Sequence, residues 1–335
     1  MKPITSFALL CAFVSASQAA VTDPVGYTTS ALVPGFNIIG INLSGPVSAG
    51  GDFETISGTS LTDDEVDFTA TLAAGLPHTL RITSGTNAGL NTEITSWSGN
   101  TIVTKDNLSS LITSSDTYEV RKTVTIADAF GSANEVGLAP GSTNSAGADL
   151  VWVQTDSGFS KVYYNAVAGS GFGAVGVGWK TTTTGNVDAS KTPIYYNDAI
   201  FIERRGTGPL SITFTGHVVT DASVVAVQPG FNYVNRILPV EFSLGESGLE
   251  AYLTQGNTNS SIADIIWVSD GTGGYKQYYY NGTAGSGFGA IGVGWKGTTT
   301  GNTDQSGVDL SGGFIIQRKG DAKNIVLPIP AGLDL

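Results

Sequence analysis

The pattern of hydrophobic and polar residues along the chain is mainly that of β-strands. In the segment PLSITFTGHV, Leu210, Ile212 and Phe214 alternate with polar residues, which is the period of a half-buried strand. The run ADLVWV is apolar on both faces, so we expect it to lie inside a sandwich. Only residues 125–131 and 246–256 show a helical pattern, each over one to three turns. The pattern predicts an all-β chain with a few short helices.

Two long segments of the chain are near copies of each other. YYNAVAGSGFGAVGVGWKTTTTGNVDAS begins at Tyr163, YYNGTAGSGFGAIGVGWKGTTTGNTDQS begins at Tyr279, and 22 of their 28 positions are identical. Shorter words recur around them in the same order: PGFN, ADLVWV with ADIIWV, and AIFIERRG with GFIIQRKG. An internal repeat of this kind predicts two tandem homologous β-sandwich-like domains.

The first copy is interrupted by a long insertion. PGFN and the Trp-containing strand are about 80 residues further apart in the first copy than in the second. The insertion has strand-like segments of its own, namely VDFTATL, HTLRITS, NTEITSW, NTIVTK and TYEVRKTV, and it predicts a small inserted β-barrel or sandwich module. The predicted organisation is a signal peptide at 1–19, a first β-domain at 20–48 plus 125–220, the inserted module at 49–124 and a second β-domain at 221–335.

The N-terminus has the features of a secretory signal peptide. Lys2 precedes an apolar run, and Ser17-Gln18-Ala19 provides the small residues of a cleavage site after Ala19. No other stretch approaches the roughly 18 to 20 apolar residues that a membrane span needs, so no transmembrane segment is expected. Cleavage would remove the only Cys and the only Met, which leaves no disulfide framework. The sequence therefore predicts export to the extracellular space, the cell surface or the outer envelope.

Charge and composition narrow the classes of partner. The net charge is −12, and it becomes −13 once Lys2 is removed with the signal peptide. This charge repels phosphate backbones, so we expect no nucleic-acid partner. Gly accounts for 45 residues and charged residues for only 13%, which favours an extracellular β protein.

The glycine-rich segment of the repeat has the glycine spacing of a dinucleotide-binding motif. Gly171, Gly173 and Gly176 have the G-x-G-x-x-G spacing, but that site needs a helix immediately afterwards. A run of Gly and β-branched residues follows instead and resists helix formation. We interpret the segment as one that packs closely under another backbone or an aromatic ring, with a glycan or another subunit as alternative neighbours.

Catalytic constellations are missing from the sequence. His78 and His217 are the only histidines, and neither the G-x-S-x-G nor the H-E-x-x-H motif occurs. A glycoside hydrolase with paired carboxylates stays open as a remote alternative, because Asp and Glu are numerous. We expect the chain not to be an enzyme.

Two sets of residues are candidates for binding. Duplicated aromatics are mostly core residues, but those beside Gly and Lys could present rings for sugar stacking. This candidate ligand set comprises Trp179, Trp295, Lys180, Lys296, Tyr164 and Tyr280. Oxygen ligands at alternate positions before a glycine suggest calcium, with a simple polar turn as the alternative. This candidate calcium set comprises Asn302, Asp304, Ser306 and Asp309, and no other cofactor is expected.

Several words of the sequence, taken in order, are similar to a known family. They are TDPVGY after the signal peptide, PGFNIIG, the inserted LRITSGTNAGLNTEITSWSGNTIVT, ADLVWV, YYN, GWK, AIFIERRG and the closing ITFTG. The chain resembles a family of exported, functionally uncharacterised β-rich proteins known mainly from Verrucomicrobia-type bacteria. The resemblance covers nearly the whole mature chain and implies export and a β-rich fold. It supplies no catalytic residues.

These observations lead to one main hypothesis and one alternative. We expect a non-enzymatic structural or adhesive protein at the cell surface or outside the cell, with itself as a partner through self-assembly. The alternative is a carbohydrate-binding protein that holds extracellular polysaccharide with the aromatics of the duplicated segment.

Overall fold

A computed structural model describes residues 24–183, 185–236, 238–310 and 312–329. The predicted signal peptide lies outside the described residues. Strands dominate the chain and the helices are short, which confirms the all-β class.

The first copy is a six-stranded sheet that packs against a two-stranded ribbon. Its elements are β1 (Val25–Leu32), β2 (Gly35–Ile39), β10 (Val124–Thr125), α2 (Ile126–Phe130), β11 (Gly141–Ser142), β12 (Leu150–Thr155), β13 (Gly158–Val167), β14 (Gly178–Thr181), β15 (Pro193–Ile194), β16 (Ile200–Arg204) and β17 (Leu210–His217). The sheet has the order β11-β13-β12-β16-β2, with β14 paired to β13, and the ribbon is β1-β17. Ile212 and Phe214 of the ribbon share a core with Val151 and Ile202 of the sheet.

The second copy repeats this arrangement. Its elements are β18 (Ser223–Val227), β19 (Gly230–Val234), two 3-10 turns (Leu244–Glu246 and Leu249–Ala251), β20 (Gly256–Asn257), β21 (Ile265–Ser269), β22 (Tyr275–Thr283), β23 (Gly294–Gly297), β24 (Phe314–Arg318) and β25 (Lys323–Leu327). The sheet has the order β19-β24-β21-β22-β20, with β23 on β22, and the ribbon is β18-β25. The two repeats of the sequence therefore have the same strand order, while their division into independent domains stays a prediction.

The insertion is one seven-stranded antiparallel sheet. Its elements are β3 (Val47–Asp52), β4 (Thr55–Ser57), β5 (Ser60–Thr62), α1 (Phe68–Thr71), β6 (His78–Ile82), β7 (Asn91–Ser98), β8 (Thr101–Thr104) and β9 (Thr117–Lys122), and the sheet order is β3-β9-β6-β7-β8-β5-β4. The sheet contacts the start of the second copy, because Val224 packs into its core and Arg81 Nη1 lies 3.1 Å from Asp221 Oδ2.

Two local predictions need correction. The word VDFTATL forms the helix α1 rather than a strand, because Asp67 caps the N-terminus and its carboxylate accepts the backbone N–H groups of Thr69 and Ala70. The segment 246–256 forms only a 3-10 turn, since Gly248 takes the left-handed conformation with φ of 63°. The helix expected at 125–131 is confirmed as α2, with a capping box between Thr125 and Asp128.

The two copies contact each other through equivalent positions. Those positions hold Ile38, Ala199 and Phe201 in the first copy and Tyr233, Gly313 and Ile315 in the second. A Cβ atom added to Gly313 would lie only 2.8 Å from Ala199 Cβ, so this approach needs a glycine. The rings of Phe201 and Tyr233 meet edge to face, with centroids 5.3 Å apart. The copies are thus joined by apolar side chains with similar surfaces on both sides, and hydrogen bonds also cross between them, since Asn235 Nδ2 donates to Ile41 O and Tyr196 O, both at 2.9 Å.

A fully buried carboxylate stabilises each copy. Asp149 accepts a charge-assisted hydrogen bond from Arg204 Nη1 at 2.6 Å. It also accepts the backbone N–H groups of Ala139, Arg205 and Gly206 at 2.8, 2.6 and 3.0 Å. This side chain therefore fixes the segment before β11, the start of β12 and the end of β16 relative to one another.

Asp264 does the same in the second copy, where Arg318 Nη1 donates to it at 2.5 Å. We predict that Asp264→Ala lowers the free energy of unfolding by about 3–5 kcal/mol, because the buried guanidinium loses its counter-charge. Urea unfolding measures the change. The control is Asp321→Ala, which removes an exposed carboxylate from the turn after β24 and should cost less than about 0.5 kcal/mol. Equal effects of the two substitutions would contradict this role of Asp264.

Candidate functional sites

The glycine-rich part of the repeat is a loop in both copies. We call residues 168–177 and 284–293 the phenylalanine loops. They connect β13 to β14 and β22 to β23. Each loop is closed by its own backbone, since Gly169 N donates to Val175 O and Gly285 N donates to Ile291 O, both at 2.8 Å. The expected close packing under another backbone is not found at Gly171 and Gly173, because a Cβ atom at either residue would meet nothing within 4 Å among the described residues.

A buried asparagine holds each loop to its sheet. Asn165 Nδ2 donates to the carbonyl oxygens of Val167 and Gly176 at 2.8 and 2.9 Å, and its Oδ1 accepts Thr143 N at 2.8 Å. Asn281 donates to the equivalent carbonyls at 2.7 and 3.0 Å. Both side chains are completely buried, so the two ends of each loop are held in fixed positions.

Lys180 and Lys296 form hydrogen bonds to the asparagines that hold the phenylalanine loops. Lys180 Nζ donates to Asn186 O at 3.3 Å, and Lys296 Nζ donates to Asn302 O at 3.2 Å. The Oδ1 atoms of the same two asparagines accept hydrogen bonds from the backbone N–H groups of Gly176 and Gly292, both at 2.7 Å. Both lysines are buried, which disfavours the prediction that they contact a ligand.

The two repeat tryptophans are core residues. Trp179 is 1% exposed and Trp295 is 3% exposed, and Trp179 Nε1 donates to Gly131 O at 2.7 Å. Tyr164 and Tyr280 pack edge to face on these indoles, with ring centroids 5.4 and 5.5 Å away. β14 and β23 turn both indoles into the core, and this burial disfavours the prediction that Trp179 and Trp295 stack on sugars.

The most exposed large apolar side chain of each loop is a phenylalanine. Phe172 and Phe288 both have a relative exposure of 112%. Gly171 and Gly173 flank Phe172 with φ of 94° and 76°, which only glycine adopts readily, and the second copy has φ of 94° and 77° at the same places. Each loop thus projects one phenylalanine ring from its tip, and the two flanking glycines determine the backbone conformation there. The sequence signal for this site was a Phe retained between two glycines in both copies.

The candidate calcium residues form a turn whose oxygens bind protein groups. Asp304 accepts Ser306 N at 3.2 Å and Ser306 Oγ at 2.7 Å, and these bonds, with the charge of Lys296, lower the pKa of Asp304. The ammonium group of Lys296 is already bonded to the Asn302 carbonyl, while Asp309 lies opposite Ser243. Within the described ranges no group of three or more His, Cys, Asp or Glu side chains could hold a metal ion. The ammonium group of Lys296 already provides a positive charge at this turn, which disfavours the binding of calcium.

A second candidate site was not expected from the sequence. A polar cavity of about 500 Å³ lies where the insertion, the first copy and the second copy meet. Its walls come from β6, β7 and the residues after β8, from the end of β12 with residues 192–198, and from β18. We call it the junction cavity.

Charged groups line one side of the junction cavity. Lys105 Nζ contacts Glu93 Oε1 at 2.7 Å and Asp156 Oδ1 at 2.5 Å. Burial alone would lower the pKa of Lys105, but these two partners outweigh it and raise the pKa. The Tyr195 hydroxyl also faces Glu93, and burial, followed by the charge of Glu93, raises the pKa of Tyr195. Acidic groups therefore outnumber the single lysine here.

Asp198 stands apart from this network. No hydrogen bond from the described part of the chain reaches its carboxyl group. Burial, followed by the charge of Glu93, raises the pKa of Asp198 to about 7. The cavity consequently contains one carboxyl group that is protonated below neutral pH and can then donate a hydrogen bond.

Comparisons of the chain with protein-family models, with curated proteins and with solved structures found no match. Among the described residues, no helix has the length and apolar character required to cross a membrane.

We predict that the raised pKa of Asp198 makes the protein less stable as pH rises. Between pH 4 and 7 the folded state keeps this proton while the unfolded state, with a pKa of 3.8, has lost it. Asp198→Asn should therefore gain stability relative to wild type as pH increases, by about 2–4 kcal/mol at pH 8. Urea unfolding at pH 4.5 and pH 8 tests this, with the exposed Asp321→Asn as control. Parallel pH profiles of wild type and Asp198→Asn would refute the shift.

Proposed function

We propose that the chain is an exported, non-enzymatic structural or adhesive protein of the cell surface or extracellular space. The observation that carries the proposal is the pair of phenylalanine loops, each with a fully exposed ring at its tip. Neither ring packs into the fold. The resemblance to exported β-rich proteins noted above supports the same compartment.

The loop has the physical properties of a binding anchor. An exposed phenylalanine gains free energy when a partner buries it, and aromatic anchors often dominate the binding energy of an interface. The bonds of Asn165 fix both ends of the loop and the bond from Gly169 N to Val175 O closes it, so less conformational entropy is lost on contact than for an open loop. Two such loops on one chain allow a single molecule to bridge two partners.

An open sheet edge supports self-assembly. Strand β1 is eight residues long, carries no charged residue, and among the described strands pairs only with β17. Val25 and Tyr27 are exposed along it. Uncharged edge strands of this length can pair with a strand of another molecule. The self-assembly expected from the glycine-rich segment is thus better supported by β1, because that segment forms loops.

A second candidate function is carbohydrate binding by the same loops. The observation in its favour is that Phe172 and Phe288 present aromatic faces that the buried tryptophans do not. A lone exposed ring can stack on the C–H face of a sugar. In this alternative the loops bind extracellular polysaccharide instead of protein.

The test removes both rings together. We predict that Phe172→Ser with Phe288→Ser leaves the melting temperature unchanged, because both rings are fully exposed, and weakens association at least about tenfold. Light scattering over a range of concentrations, with electron microscopy, measures self-assembly, and retention on polysaccharide measures the alternative.

The matched control is Val187→Ser, which removes an exposed apolar side chain outside the loops. Loss of self-association in the double variant alone supports the structural function, whereas loss of polysaccharide retention alone supports the second candidate. If the double variant assembles and adheres as wild type does, the loops are not the contact sites and the proposal fails.

A further inference from the structure

The junction cavity has the size and position of a ligand site. A volume of about 500 Å³ lies within the range of small-molecule pockets, and such pockets are frequent where structural units meet. The two copies alone could not form it, because one wall belongs to the insertion, which only the first copy contains. The phenylalanine loops do not line it, so its use is separate from the proposed function.

The wall contains polar atoms that the described part of the chain leaves without hydrogen bonds. Asn91 Nδ2 donates to Gly89 O at 2.9 Å and Asn197 Nδ2 donates to Val224 O at 3.0 Å. The Oδ1 atoms of both asparagines are buried and have no partner. Both oxygens have almost no accessible surface, so they do not face the open cavity. A polar group that a ligand can reach is the carboxyl group of Asp198, which lines the cavity, is only partly buried and has no partner in the described chain.

The charges of the wall restrict the chemical class of the ligand. Glu93, Asp106 and Asp156 face the cavity with Asp198, against the single ammonium group of Lys105. This excess of carboxyl groups repels anions such as uronic acids or phosphates. A cationic ligand would compete with Lys105, which already bonds Glu93 and Asp156. A neutral ligand with many hydroxyl groups fits best, since each hydroxyl both donates and accepts.

Apolar groups complete the wall. Pro193, Val225 and the ring of Tyr195 line the cavity beside the polar atoms. Pyranose rings have apolar C–H faces between their hydroxyl groups, and such a mixed wall matches both features. We propose that the junction cavity binds a neutral saccharide unit whose hydroxyl groups bond to Asp198 and to the neighbouring carboxylates of Glu93 and Asp156. The unit can be a free sugar or the end of a polysaccharide chain.

The chain itself offers a matched pair of variants to test this site. Ala226 is exposed on β18 and lines the cavity, and Ala31 is the equivalent exposed residue on β1 of the first copy. Ala226→Trp should fill the cavity and abolish sugar binding, while Ala31→Trp places the same bulk on the equivalent strand and should leave binding unchanged. Both positions are exposed, so both variants should fold.

Asp198→Leu provides a second, independent variant. Because the carboxyl group has no partner in the described chain, its replacement should leave the melting temperature equal to or above that of wild type. If Asp198 bonds to sugar, the same substitution should weaken binding at least about tenfold. A purely structural residue would not combine unchanged stability with lost binding.

Binding is measured on the purified protein by calorimetry and thermal shift. The probes are glucose, galactose, mannose, xylose and their neutral disaccharides, with glucuronate and glucosamine as charged counterparts. Retention on insoluble neutral polysaccharide separates a chain end from a free sugar. Saturable binding of a neutral sugar that is lost in Ala226→Trp and Asp198→Leu, and kept in Ala31→Trp and in Phe172→Ser with Phe288→Ser, is the expected result.

Three results would overturn the proposal. Binding of glucuronate or glucosamine without any neutral sugar would refute the ligand class. Wild-type binding by Ala226→Trp would refute the location. Failure of the wild-type protein to bind any sugar or polysaccharide would refute the site, and it would not bear on the phenylalanine loops, whose test is self-association.

Discussion

A carboxylate that is fully removed from water must be surrounded by donors, and this constraint organises both copies. Asp149 and Asp264 meet it with an arginine at the end of the adjacent strand, β16 or β24, and with backbone N–H groups of neighbouring segments. The geometry of this ion pair determines the position of β12 relative to β16 in the first copy, and of β21 relative to β24 in the second. Strands β13 and β22 pair with the strands so placed, and the buried Asn165 and Asn281 then fix the loops that follow.

The sequence was most informative where the two copies could be compared. The repeat predicted that both would have the same strands, and the sheets do share one order. The alternation in PLSITFTGHV correctly identified the core face of β17, with Ile212 and Phe214 buried. Inside the insertion there was no second copy to compare. The segment VDFTATL alternates apolar and polar residues as a strand does, and it was assigned to the wrong element because Asp67 caps a helical turn there.

The candidate sites were harder to predict, for two different reasons. Gly and Lys beside Trp179 suggested an exposed ring, but the neighbours of a residue do not determine to which face of a strand it points, and the supporting lysine is itself buried. The junction cavity was invisible in the sequence, since Glu93, Asp156 and Asp198 belong to segments that only the folded chain brings together. A recurring motif could indicate a loop, whereas a site built from three separate segments has no local pattern.

The insertion breaks the equivalence of the two copies and thereby sets the valency of the molecule. Every feature encoded in the repeat occurs twice per chain, including the buried carboxylate, the asparagine clamp and the projecting ring. The junction cavity needs the insertion and occurs once. Such a chain would contact a partner surface at two points, through its two loops, and would hold one small molecule in its cavity. The numbers of these two kinds of contact are therefore unequal, and the covalent order of the segments determines both.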